Sequence, residues 1–407
     1  MNKKKVLLAV NKVYNEQNPS NYFISANKKN IKQLVNNKKK FLIERLKLPL
    51  KIFKNSELLD LGCGSGQNTI NYDWAGAKCT LVDYDKKSTV NARNLFGKLA
   101  KNKFKVYRKD LFKFNLKKKF DFVISNGVAH HTFDTVKNIK LAINFLKKDG
   151  ILILGLGETN GFFQRNLQRY ILYSLSENED EIIKLSKLFF KNNLKRAHKY
   201  GGRTIKQIIH DTYINPKIDT LSFYEIKNLF EKNNLYLYSS DEEEYFLEKF
   251  TNNKKYYFSL KQKNSKNKNY FSNKNFLLNS LINFSSIENS NKVQNKSLKI
   301  LKDLFFIQSK ITHKIKDQSF HAFKKVSLNA LLKDYKKTIN LLKKIEPINI
   351  KETKNFLNEL SEVFIVMDSK IDKISKIKKI NNIIKKNRIL FKGRGGKGLN
   401  YFVGMKL

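Results

Sequence analysis

The sequence predicts a doubly wound α/β fold: a seven-stranded, mostly parallel sheet with an added α-helical region. Three observations carry this. Between residues 57 and 156, short apolar runs alternate with helical periods, as βαβ units require. The first run ends in a glycine cluster, where a strand turns tightly into a helix. After a long helical stretch, residues 391–407 (FKGRGGKGLNYFVGMKL) return to a strand-like run, expected over 399–405 as the seventh strand.

In chain order, residues 1–55 form an N-terminal helical cap, with Leu34, Phe41, Leu42, Leu46 and Leu48 as a sparse apolar face. The first strand is ELLDL, 57–61. The second is 79–82, ending at Asp83, and a weak third surrounds Val106. The fourth is 120–125, and the fifth is 151–156, entered through Asp149 and Gly150. Helices are expected over 88–101 and 134–146. Residues 158–220 break the alternation with two helix candidates, 161–176 and 181–192, and a loop holding Gly201, Gly202 and Pro216. A helix over 222–233 follows, with Ser222 as N-cap and Glu225 completing a capping box. The sixth strand is 235–239. Residues 251–295 read as a Lys/Asn-rich connector.

Helical periodicity resumes at Leu298. One face carries Leu301, Phe305, Ile311 and Ile315; another carries Leu328, Leu331, Tyr335, Ile339 and Leu342; a third carries Phe356, Leu360 and Phe364. Ile371, Ile374, Ile377, Ile380 and Ile383 recur every third residue, a stripe that drifts about 60° per step around a helix and so makes a poor single face.

Composition narrows the class. No run approaches the length of a membrane span. The N-terminal MNKKKVLLAV starts like a signal peptide, but its apolar run is too short, so the expected protein is soluble and cytoplasmic. Two cysteines and six histidines show no metal-ligand spacing, and no metal is expected. The net charge is +46. Only nine of the 81 basic residues are Arg; this lysine excess fits the bias of an AT-rich genome, whereas phosphate-reading surfaces also enrich Arg. Residues 251–407 nevertheless carry 35 basic and 10 acidic residues against 46 and 25 in the first 250, an asymmetry that bias alone does not produce.

The chemistry-bearing motif is Asp60-Leu61-Gly62-Cys63-Gly64-Ser65-Gly66. Its G-x-G-x-G is not the dinucleotide G-x-G-x-x-G, and no Lys-Ser/Thr follows as in a P-loop. This stretch resembles the first motif of class I methyltransferases, an acidic residue followed by G-x-G-x-G after the first strand. The resemblance implies an S-adenosylmethionine site lined by Gly62, Gly64 and Gly66, with Asp60 near the amino group of the cofactor. Further matches follow in order: Asp83, 23 residues after Asp60, for the ribose hydroxyls; Asp110 and Leu111 for the adenine; Asn126 at the end of strand four.

After strand four the chain reads Ser125-Asn126-Gly127-Val128-Ala129-His130-His131, without the Pro-Pro-aromatic motif of methylases that act on exocyclic amines. It is similar instead to the small-molecule group that includes quinone and sterol methylases. His131 or His130 is then the candidate general base, against a purely structural histidine. In this family substrate-recognition elements lie after strand five. Arg165 and Arg169, four residues apart on one helix face, are candidates to clamp a carboxylate or phosphate, and Asp211 and Tyr213 are candidates for substrate contact. The implied organisation is a catalytic domain over 56–250 with a substrate-recognition insertion at 158–220, a basic connector and helical insertion over 251–390, and the last strand of the sheet in 391–407. The expected activity is methyl transfer from S-adenosylmethionine to oxygen, nitrogen or carbon of a small molecule. Two alternatives stand beside it: a tRNA or rRNA methyltransferase whose basic C-terminal region holds RNA, and a non-catalytic scaffold that keeps the fold.

Overall fold

The structure is a computed structural model that describes residues 8, 10, 12–14, 28–201, 203–240, 297–316, 323–345, 351–386 and 399–407. The connector expected over 251–295 lies outside the described residues.

Strand β1 (Glu57–Leu61) is apolar on both faces, as a strand covered on both sides must be, and everything from Leu58 to Leu61 is buried. It pairs in parallel with β2 (Lys78–Asp83) on one side and β4 (Phe120–Asn126) on the other. Strand β3 (Phe104–Arg108) extends the sheet beyond β2, and β5 (Leu146–Gly157) extends it beyond β4. The last strand, β7 (Leu399–Lys406), inserts antiparallel between β5 and β6 (Leu235–Ser240). The order is β3-β2-β1-β4-β5-β7-β6. The direction of winding reverses between β1 and β4, and in open α/β sheets the crevice beyond the strand ends at that reversal receives ligands.

The connecting helices begin on side chains suited to that position. Helix α1 (Lys28–Lys40) precedes the sheet, and α2 (Ile70–Trp74) follows the glycine turn. At α3 (Lys86–Leu99), Asp85 accepts the Ser88 N–H at 2.6 Å; at α4 (Thr135–Asn144), Asp134 accepts the Lys137 N–H at 2.8 Å. Beyond β5 lie α5 (Phe163–Leu175), α6 (Glu179–Phe189), α7 (Lys191–Gly201) and α8 (Ile205–Ile209). The expected loop around residue 201 is therefore two helices. Their short, lysine-rich sequences hid the period, and Thr204 starts the second with its own capping box. Helix α9 (Phe223–Lys232) opens with the Ser222–Glu225 capping box expected of it.

Four long helices complete the chain: α10 (Ser297–Ile315), α11 (Asn329–Ile345), α12 (Lys351–Asp368) and α13 (Lys373–Lys386). They share one continuous core with the sheet. Leu301, Leu304, Phe305, Tyr335, Ile339, Leu360 and Ile380 belong to the same buried cluster as Leu59, Val123 and Leu154. Polar ties cross the boundary as well: Asn160 donates to Ser309 at 3.0 Å, and Lys316 pairs with Asp219 at 2.8 Å. The isoleucine stripe of period three drifts along α13 as geometry demands: Ile374 is exposed, Ile377 and Ile383 are half-buried, and Ile380 is buried. In the N-terminal cap, Ile31 and Val35 bury together with Leu42, Leu46 and Leu48, leaving Leu34 only partly covered.

Candidate active site

The C-terminal ends of β1, β2 and β4 open into a cavity of about 350 Å³. Its floor is the glycine turn. Gly62 (φ +80°) and Gly64 (φ +54°) lie in the left-handed region, and a Cβ on Gly62 would collide with the methyls of Val128. Backbone therefore faces the cavity here with nothing projecting from it. Gly66 has turned away and packs against Phe96 and Leu81, so it shapes the turn without lining the cavity.

Asp83 ends β2 and ties the turn down: its carboxylate accepts the Gly64 N–H at 2.8 Å and the Asp85 N–H at 2.9 Å. Each oxygen keeps a further lone pair, and burial raises the pKa of the group. Asp60 lies underneath the turn, buried, and accepts a hydrogen bond from Thr69 Oγ1. Burial first, then the nearby Asp83, raises its pKa to about 7. It is absent from the cavity lining, so it braces the turn from below. Asp110 lines the cavity after β3 and accepts the Phe112 N–H at 2.9 Å, with Leu111 beside it. Asn126 lines it at the end of β4, where Gly155 on β5 leaves room for its side chain. Two buried polar atoms at this end have no partner among the described residues: Ser65 Oγ and Asp85 Oδ1. Orphaned buried groups of this kind mark a place where a polar ligand completes the bonding.

The other end of the cavity holds His130, His131, Arg165, Arg203 and Asp211, with Tyr14, Phe133 and Phe162 as apolar walls. A short turn after β4 (Ala129–His131) carries both histidines, their rings 4.1 Å apart. His130 is buried and accepts the Gly157 N–H at Nδ1, 3.3 Å away; burial lowers its pKa well below the usual value. Its lone pair is thus committed to the backbone. His131 differs. Its Nδ1 lies 2.8 Å from the Lys217 carbonyl, which accepts only, so Nδ1 carries the proton and the Asn215 amide nitrogen 3.1 Å from it is a packing neighbour. The lone pair is left on Nε2, 3.9 Å from Asp211 Oδ1. Burial lowers the His131 pKa, and Asp211 pulls it partly back. The ring is consequently neutral near pH 7, and a proton arriving at Nε2 would form an ion pair with Asp211. Burial alone would raise the Asp211 pKa, but Arg203 at 2.8 Å and His131 outweigh it, so Asp211 stays ionised.

The remaining two residues singled out from the sequence stand behind the cavity. Arg169 is buried and donates to the carbonyls of Thr212 and Tyr213 at 3.1 and 2.9 Å. Tyr213 is fully buried and donates to Gln168 at 2.8 Å. Four residues apart on α5, Arg165 and Arg169 sit about 40° apart around the helix. That turn takes Arg165 to the cavity and Arg169 into the core. Residues that sequence reasoning missed are Ser65 and Asp85, which the motif itself contains or closely follows, and Arg203. Arg203 reaches Asp211 across helix α8, a pairing that the unrecognised helix concealed.

A family model described as a methyltransferase domain matches residues 52–275. The chain is 33% identical over 106 residues to the ubiquinone biosynthesis O-methyltransferase of Pelagibacter ubique, covering 26% of this chain and 43% of that protein. It is 32% identical over 124 residues to the ribosomal protein L11 methyltransferase of Thermosipho africanus, covering 30% of this chain and 43% of that one. The chain thus spans less than half the length of these curated relatives. Among solved structures, magnesium protoporphyrin IX methyltransferase from Synechocystis aligns with a TM-score of 0.34 at 13% identity, over 58% of this chain and 88% of that one. No helix among the described residues is long and apolar enough to cross a membrane.

Proposed function

Because the chain belongs to the methyltransferase-domain family, we propose that it moves a methyl group from S-adenosylmethionine to a small-molecule acceptor in the cytoplasm, with His131 as general base. The observation that carries this reading is the pairing, in one cavity, of a side-chain-free glycine turn braced by Asp83 with a neutral histidine whose Nε2 lone pair is left available.

S-adenosylmethionine supplies an electrophilic methyl on a positively charged sulfur. The residues present fit it. Gly62 and Gly64 let the backbone approach; Asp83, Asp85 and Asp110 present carboxylates to a cationic ligand; the orphaned Ser65 Oγ and Asp85 Oδ1 offer polar contacts. Asp83 would hold the ribose hydroxyls with the lone pairs that Gly64 and Asp85 leave free. Asp110 and Leu111, which line the same cavity, would take the adenine.

At the acceptor, His131 Nε2 takes the proton of a hydroxyl, amine or activated C–H as that atom attacks a methyl group, which S-adenosylmethionine would supply and from which it would part as a neutral thioether. The proton stays on His131 opposite Asp211 until solvent removes it. Phe133, Phe162 and Tyr14 line this end with aromatic surface. Positioning and one proton transfer then account for the chemistry.

The test is methyl-labelled S-adenosylmethionine with the purified full chain in an extract of its own cells, separated into small molecules, RNA and protein. Label in the small-molecule pool is expected. Label that RNase removes would overturn the reading and make the basic helical region the grip on the substrate. Binding of the cofactor with no label in any pool would favour the scaffold.

A further inference from the structure

We propose that the acceptor carries a carboxylate or phosphate that is not itself methylated, and that Arg165 binds it. This inference rests on the methyl-transfer reading above.

Arg165 stands in the first turn of α5, half-buried on the cavity wall, with its guanidinium 4.5 Å above the Phe162 ring. Its neighbours of the same kind are engaged: Arg169 by two backbone carbonyls, Arg203 by Asp211. Arg165 has neither a hydrogen bond nor an ion pair among the described residues. A guanidinium has five donors in a rigid fork, and withdrawing it from water without an acceptor is costly. The Phe162 ring holds the guanidinium by a cation–π contact that takes up none of its hydrogen-bond donors.

The charge pattern of the cavity agrees. The cofactor end presents Asp83, Asp85 and Asp110. The acceptor end presents Arg165 and Arg203 against the single carboxylate of Asp211, with His131 neutral, which leaves one positive charge unmatched. A cationic ligand is thus drawn to one end and an anionic one to the other. The unmatched charge also lies within electrostatic reach of both imidazoles, since Arg165 helps to lower the pKa values of His130 and His131. An anion on Arg165 is therefore held beside the base. The anion is the anchor and not the methylated group, because a carboxylate or phosphate is already ionised and has no use for a base, whereas His131 is built to accept a proton.

The experiment starts from the labelled small-molecule product of the extract assay, passed over an anion-exchange resin at neutral pH. Retention is expected. Phosphatase treatment separates the two sources: a phosphate-bearing product is released by it, a carboxylate-bearing one stays bound. With the purified acceptor, Arg165→Leu should raise KM by about tenfold or more, with Arg165→Lys recovering part of the loss, as a bidentate contact reduced to a point charge does. S-adenosylhomocysteine affinity, measured in parallel, should stay within about twofold, since Arg165 lies at the other end of the cavity. An unretained, neutral product, or an unchanged KM in Arg165→Leu, overturns this inference while methyl transfer to a small acceptor still stands. Label confined to RNA or protein overturns both.

Discussion

Replacing Asp83 by Ala removes the one carboxylate that joins the glycine turn to the ligand cavity. In the unliganded chain it accepts two backbone N–H groups, from Gly64 at 2.8 Å and from Asp85 at 2.9 Å. Hydrogen bonds to a charged acceptor contribute about 1.5–3 kcal/mol each, less what the desolvated carboxylate costs. Burial already disfavours this carboxylate, and it dominates the raised pKa. The two effects offset each other in the unliganded chain, so the unfolding midpoint should move little. Binding differs, because the ribose hydroxyls meet no such offset. Losing a two-point contact and the tether on Gly64 should weaken S-adenosylhomocysteine binding by about tenfold or more, equivalent to about 1.4 kcal/mol. Asp83→Asn should do nearly as badly, since its NH₂ must face one of two N–H donors. Isothermal titration calorimetry on the full chain measures the affinity, and circular dichroism checks the fold. A Kd within about twofold of wild type, with the fold intact, would refute the placement of the ribose on Asp83.

Three further outcomes follow from the structure. Gly62→Ala puts a methyl into Val128 at φ +80°, so urea unfolding should show a loss of about 1–3 kcal/mol together with weaker cofactor binding. Burial lifts the pKa values of Asp60 and Glu158 to about 7, from 3.8 and 4.5. The folded chain therefore binds more protons than the unfolded chain between about pH 4 and pH 7, and stability falls as pH rises through that window. The buried His130 and His131, whose pKa values are lowered, pull stability the other way below about pH 6.5, so the test is the difference between variants: Asp60→Asn should remove its share of the fall, and a melting-temperature profile from pH 5 to pH 8 identical to that of wild type would contradict the assignment. Leu304→Ala in the helical region should cost about 2–5 kcal/mol and shift the fluorescence transition of Trp74, the only tryptophan, which packs against the cluster on the other face of the sheet, as cooperative unfolding of the two faces requires. A Trp74 transition unmoved by Leu304→Ala would mean that the helical region unfolds separately.

The parallel part of the sheet is legible because β1, β2, β4 and the second half of β5 are apolar runs buried on both faces, whereas β3, with Lys105 and Arg108 exposed, gives only a weak signal. ELLDL running into a glycine turn admits few other readings. Strand β7 was visible as an isolated run, but its antiparallel place between β5 and β6 comes from pairing across more than 150 residues, which no local pattern encodes. The cofactor end was read from motif positions, with one refinement: Asp60 and Gly66 shape the turn from behind, which burial decides and sequence order does not. The acceptor end was harder. Arg165 and Arg169 look equivalent as a four-residue pair, yet the helix rotation between them separates cavity from core. His130 and His131 are neighbours with opposite fates, separated by what each Nδ1 meets: a backbone N–H at His130, a backbone carbonyl at His131. Arg203 escapes a sequence reading because it pairs with Asp211 across α8, whose five residues are too few to display a helical period.

The central claim is that one cavity binds S-adenosylmethionine and that His131 takes the acceptor proton. His131→Gln tests it in the extract labelling assay, with S-adenosylhomocysteine affinity measured alongside. The account predicts a fall in the labelling rate of about 100-fold or more, the usual size of a general-base contribution, with cofactor affinity within about twofold. It also predicts a wild-type rate that falls on the acid side of a His131 pKa lying below 6.5 and levels off above it. Wild-type labelling by His131→Gln, with the same pH profile, would contradict the account.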